Sequence, residues 1–153
     1  MSEQTINQQQ QNSSLEDKLI QLREEWENEI ATMNEEMKTL PKLNDLINVI
    51  YTKRQKLVDL YYGTMGVLKK QVRLYTVKYA ELYNQLKMNA QIRYTETALA
   101  NQIEAQLMPL KEVIENLKTF TEFVYETMKT LDNMIYGVNN KIKIYELMNG
   151  LKG

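Results

Sequence analysis

Lys69, Lys70 and Arg73 stand in the stretch VLKKQVRLYTVKYAELY, residues 67–83, with Tyr75 and Tyr79 just beyond them and Lys78 between the two rings. On a helix, residues three and four apart share a face, so this spacing gathers cations and aromatic rings along one element. Single-stranded nucleic acid is bound by that combination: cations neutralise phosphates and release counterions, and each base stacked on a ring contributes roughly 1–3 kcal/mol whatever its sequence. Lys69, Lys70, Arg73, Tyr75, Lys78 and Tyr79 are the candidate nucleic-acid-binding residues.

The formal net charge of -1 hides an uneven distribution. Residues 1–52 hold four Lys/Arg against ten Asp/Glu, residues 53–93 hold nine against two, and residues 94–153 hold six against eight, giving balances of -6, +7 and -2. The basic middle also carries Tyr61, Tyr62 and Tyr83. A second reading stands beside nucleic-acid binding. A basic helix flanked by acidic helices forms an intramolecular charge match, with the tyrosines as core residues whose hydroxyls reach water.

Enzymatic chemistry has little to work with. There is no cysteine and no histidine, so thiol nucleophiles, cysteine zinc sites and the usual general base near neutral pH are missing. No catalytic residue, metal ligand or cofactor is expected. The Glu-rich stretch REEWENE, residues 23–29, reads as a solvated helix face, and GTMG at residues 63–66 lacks the Gly-Lys-Ser/Thr ending of a phosphate-cradling loop. No apolar run reaches the roughly 18 residues of a membrane span, and MSEQTINQQQQNSS lacks a signal-peptide pattern. The expectation is a soluble, intracellular protein.

These residues need long helices to position them. Five glycines and two prolines leave few places to turn, and Leu, Glu, Lys, Gln, Met and Ala lose little rotamer freedom in a helix. The expected fold is all-α, with elongated antiparallel helices. Residues 1–14 are polar and Gln-rich and read as a disordered tail. Ser14 with Asp17 forms a capping box for a first helix over about 15–38, whose Leu19, Leu22, Trp26, Ile30 and Met33 share a face. Pro41 opens a second, long basic helix over about 41–91, with Leu57, Tyr61, Leu68, Val72, Tyr75, Tyr79, Leu82 and Leu86 as its stripe. Gly63 and Gly66 mark either a weak spot or a close packing site on it.

Residues 93–102, RYTETALANQ, are the expected connection, with Thr95 or Thr97 as a cap, to a last helix over about 98–150 that Pro109 kinks or begins. From Leu107 to Tyr145 that helix steps strictly three and four through apolar or aromatic positions, with Thr121 the exception. A heptad seam so long needs partners to cover it, which predicts homo-oligomerisation through Leu117, Val124, Met128, Leu131, Ile135, Val138 and Ile142.

LPKLNDLINVIY (residues 40–51), LKKQVRLY (68–75) and YGVNNKIKIYELMNG (136–150), in this order of elements, resemble the phage recombination mediator family typified by UvsY. The resemblance runs from about Leu15 to Gly150. It implies a non-enzymatic, ring-like homo-oligomer in the cytoplasm of an infected bacterial host. Such a protein binds single-stranded DNA and helps a RecA-like recombinase replace a single-strand-binding protein. Lys69, Lys70 and Arg73 fall in the family's basic motif and Tyr75 matches its following aromatic. Gln71 and Val72 depart from the motif's alternating Lys/Arg order, and the helical pattern continues past the motif where the family tends to break. The alternative class is a coiled-coil scaffolding protein that binds no nucleic acid.

Overall fold

The computed structural model describes residues 3–39, 42–89 and 91–151, with side chains from residue 14 onward save those of the gaps. All its regular structure is helical: α1 (Glu3–Glu36), α2 (Leu43–Lys87) and α3 (Glu96–Gly150). The long, glycine-poor runs of good helix formers account for the lengths. No described glycine or other residue has a positive φ.

Several boundaries differ from expectation. Helical backbone covers residues 3–14, where the composition suggests a disordered tail, and Ser14 lies inside α1 and not at its start. Glutamine is among the better helix formers, so a polar Gln-rich segment can extend a helix that the following residues nucleate. The role given to Pro41 lies outside the described residues. The connection to α3 comes earlier than expected, with α2 ending at Lys87 and α3 starting at Glu96. Thr95 is its cap: the Ala98 amide donates to the Thr95 Oγ1 at 3.2 Å, and Thr97 falls within the helix. Pro109 is interior to α3 and begins nothing.

The chain divides into two compact units, Met1–Leu19 with Thr64–Thr119 and Ile20–Gly63 with Phe120–Gly153. In the second unit, Arg54 meets Asp132 and Tyr61 meets Tyr125. Seven residues forward on α2 match seven backward on α3, so these two run antiparallel. Arg23 lies over the Phe123 ring at 5.0 Å, and the Lys141 ammonium donates to the Met37 carbonyl at 2.9 Å, so α1 and α3 run parallel. Met33, Leu46, Ile50, Leu57, Val124, Leu131 and Val138 are buried in this unit's core.

Four of the seven seam positions are therefore covered within one chain. Leu117, Val124, Leu131 and Val138 are buried, while Met128, Ile135 and Ile142 are half-buried. The four buried positions already have the covering that the spacing alone assigns to a second copy. Thr121 is buried on the same line, and the nearby Thr127 hydroxyl satisfies itself on the Phe123 carbonyl at 2.8 Å.

In the first unit, Leu99, Ile103 and Leu107 of α3 form the core, with Tyr75, Tyr79, Leu82, Tyr83 and Leu86 of α2 packed against them. Tyr94 joins from the connection. Gly63 and Gly66 are not close packing sites: nothing lies within 4 Å of a Cβ placed on either.

A candidate nucleic-acid interface on α2

The inward line of α2 in the first unit is set by the 3.6-residue turn and differs by one residue from the stripe read off the apolar positions. Thr64 is buried and Leu68, Gln71, Tyr75, Tyr79, Leu82 and Leu86 are half-buried, at steps of four, three, four, four, three and four. Val72, expected on this line, is 43% exposed. Gln71 takes its place, because 68 to 71 to 75 keeps to one face while 72 swings toward its edge. Tyr75 and Tyr79 thus face the Leu99–Ile103–Leu107 cluster, with their ring centroids 6.2 Å apart. Their apolar faces are used in packing.

Lys69, Lys70 and Arg73 fall on the opposite side, within about 100° of arc at about 100° per residue. All three are exposed, and none forms an ion pair or hydrogen bond with another side chain among the described residues. Leu74 and Val77 are exposed beside them. Lys78, five residues beyond Arg73, is turned about 140° from it and is half-buried on the inward flank. Of the six candidates, then, three cations share one free face, and Tyr75, Lys78 and Tyr79 belong to the packed side.

Three other cations of α2, Lys53, Arg54 and Lys87, are engaged. The Lys53 ammonium is 2.8 Å from a Glu29 carboxylate oxygen of α1. Arg54 makes a bidentate pair with Asp132 of α3, its Nε 2.5 Å and its second terminal nitrogen 3.3 Å from the two carboxylate oxygens. That hydrogen bond holds the Arg54 guanidinium above its already high pKa. At the end of α2 the Lys87 ammonium sits 2.7 Å from the Tyr83 hydroxyl and 3.7 Å from Glu96, contacts that raise its pKa, the Tyr83 hydrogen bond most. Lys56, exposed, and Lys78, half-buried, have no such partner among the described residues.

No family model, curated protein or solved structure matches the chain. The reading of the site rests on its own geometry.

Among the described residues no group of three or more Asp or Glu side chains is placed to hold a metal ion. The Glu-rich stretch of α1 is a solvated face that also supplies partners: Glu27 pairs with Arg23 at 3.1 Å, and Glu29 reaches Lys53. No described helix is long and apolar enough to cross a membrane. Pairing separates the free cations from the engaged ones, and composition carries no signal for it. The outward turn of 69, 70 and 73 could have been found by placing Thr64 and Gln71, instead of Val72, on the inward line.

Proposed function

We propose that the protein binds single-stranded DNA through the outward face of α2, with Lys69, Lys70 and Arg73 as its phosphate contacts. The observation that carries this is their freedom: three cations within five positions, exposed, with no carboxylate partner among the described residues. Each can neutralise a phosphate without first breaking an internal pair, and released counterions then drive association. Tyr75 and Tyr79 act by bracing the helix against α3 and not by stacking on bases. On this reading the DNA is gripped by its backbone, which makes binding indifferent to sequence.

The resemblance to recombination mediators gives the biological setting: a non-enzymatic accessory that helps a RecA-like recombinase replace a single-strand-binding protein. A titration of fluorescent oligonucleotide at two salt concentrations tests the binding. Affinity should fall steeply as salt rises; an affinity that is absent, or indifferent to salt, removes the proposal.

A second reading has its own support in the Lys53–Glu29 and Arg54–Asp132 pairs, which match basic α2 to its acidic neighbours. It makes the protein a helical scaffold. It predicts no salt-sensitive affinity for nucleic acid in the same titration.

A further inference from the structure

Gly66 is a glycine for which the fold has no use. Glycine serves a chain where the backbone takes a positive φ, where another element packs close, or where a ligand must approach the main chain. The first use is absent, because no described glycine has a positive φ. So is the second: a Cβ placed on Gly66 meets nothing within 4 Å. The residue is exposed and interior to α2, where glycine costs about 1 kcal/mol relative to alanine. Its surroundings point to the third use.

Gly66 belongs to the same compact unit as Lys69, Lys70 and Arg73. At about 100° per residue, Lys69 stands about 60° to one side of it around the helix, Lys70 about 40° to the other, and Arg73 about 20° from its line. Lys69 and Lys70 are also one turn further along, a rise of about 5 Å. The Cα–Cβ bonds of a helix tilt toward its N-terminus, so a long side chain covers the turn before its own Cα. Lys69 and Lys70 therefore flank the bare backbone at Gly66, and neither has a carboxylate partner among the described residues.

We infer that Gly66 is the floor of a basic notch, where the missing side chain lets a phosphate strand lie against the main chain of α2 between Lys69 and Lys70. This rests on the proposed nucleic-acid binding and adds a steric condition to it. A side chain at residue 66 would stand where the strand lies and would hold its phosphates away from both ammonium groups. The rival use of Gly66, as a point where α2 yields, depends on helix propensity and not on side-chain length.

A substitution series separates the two. Gly66→Ala, Gly66→Met and Gly66→Gln all install good helix formers, so each should raise the thermal midpoint. Affinity for a single-stranded oligonucleotide should nevertheless fall, least for alanine and most for methionine and glutamine. The loss should be roughly fivefold at about 0.1 M salt for each phosphate contact broken, and the slope of log affinity against log salt should flatten by about 0.7 per contact. Ala80→Gln, at an exposed position of α2 beyond the three cations, should leave both unchanged. Affinity equal to the parent in the whole series, one and the same loss for all three residues, or a matching loss for Ala80→Gln would each overturn the inference while leaving the proposed function standing. A parent chain that binds no oligonucleotide would remove both together.

Discussion

In the half of α2 that belongs to the second unit, Lys53 and Arg54 are held by Glu29 and Asp132, and Lys56 alone is without such a partner among the described residues. In the half that belongs to the first unit, Lys69, Lys70 and Arg73 face water with no carboxylate partner among the described residues. The two groups are alike in residue type and lie on one helix. What separates them is the neighbour: α1 and α3 offer Glu29 and Asp132 to the first group, while α3 meets the second half of α2 with Leu99, Ile103 and Leu107 on the far side of the helix. Cations in a polypeptide are thus of two kinds, those already spent on the fold and those available to a ligand, and a segment's net charge adds them together.

Removing buried volume from the paired half gives the largest expected effect. Leu131 is fully buried one residue from Asp132, so Leu131→Ala should cost about 2–5 kcal/mol in chemical denaturation. Val77→Ala on the exposed face should change stability by less than about 0.5 kcal/mol. Equal losses would mean that the outward face is covered after all.

Freeing the paired cations comes next. Glu29→Gln combined with Asp132→Asn should cost about 0.2–1 kcal/mol per pair, because both pairs are partly solvated. If pairing is what withholds Lys53 and Arg54 from DNA, the double variant should bind an oligonucleotide more tightly than the parent at low salt. A decrease in affinity would break the comparison.

Glycine substitutions probe the same difference at smaller scale. A Cβ on Gly66 meets nothing within 4 Å, so Gly66→Ala should stabilise by up to about 1 kcal/mol through helix propensity alone. At Gly137 the added carbon would come 3.3 Å from the Met37 Cε. Gly137→Ala should gain less, since the methionine end must shift. Thermal melts of the two variants decide it.

The smallest expected effect is also informative. Tyr75→Leu with Tyr79→Leu should leave oligonucleotide affinity within about twofold if the rings only pack, whereas loss of stacking would cost about 1–3 kcal/mol per base. Tyrosine fluorescence should likewise be little quenched on binding.

The helical class and the three-element order were legible from the paucity of glycine and proline and from the regular three-four steps. The covering of the seam was not, because spacing shows that Leu117, Val124, Leu131 and Val138 must be buried without saying by which chain. Val72 misled for a related reason: its apolar side chain filled a gap in a pattern that the helix turn assigns to Gln71. Of the candidate interface, Lys69, Lys70 and Arg73 could be read together from their spacing. That Lys78 turns away needed the inward line to be known. The freedom of the three cations depended on acidic partners distant in sequence, such as Asp132 for Arg54, which no local pattern reveals.

The most direct measurement compares salt dependences of single-stranded oligonucleotide binding for two variants, Lys69→Ala/Lys70→Ala/Arg73→Ala and Lys53→Ala/Arg54→Ala. The first should weaken binding and flatten the slope of log affinity against log salt by about 2, the share of three phosphate contacts on a single strand. The second should leave that slope unchanged. A slope that falls with the paired cations and persists without the free ones would contradict the account.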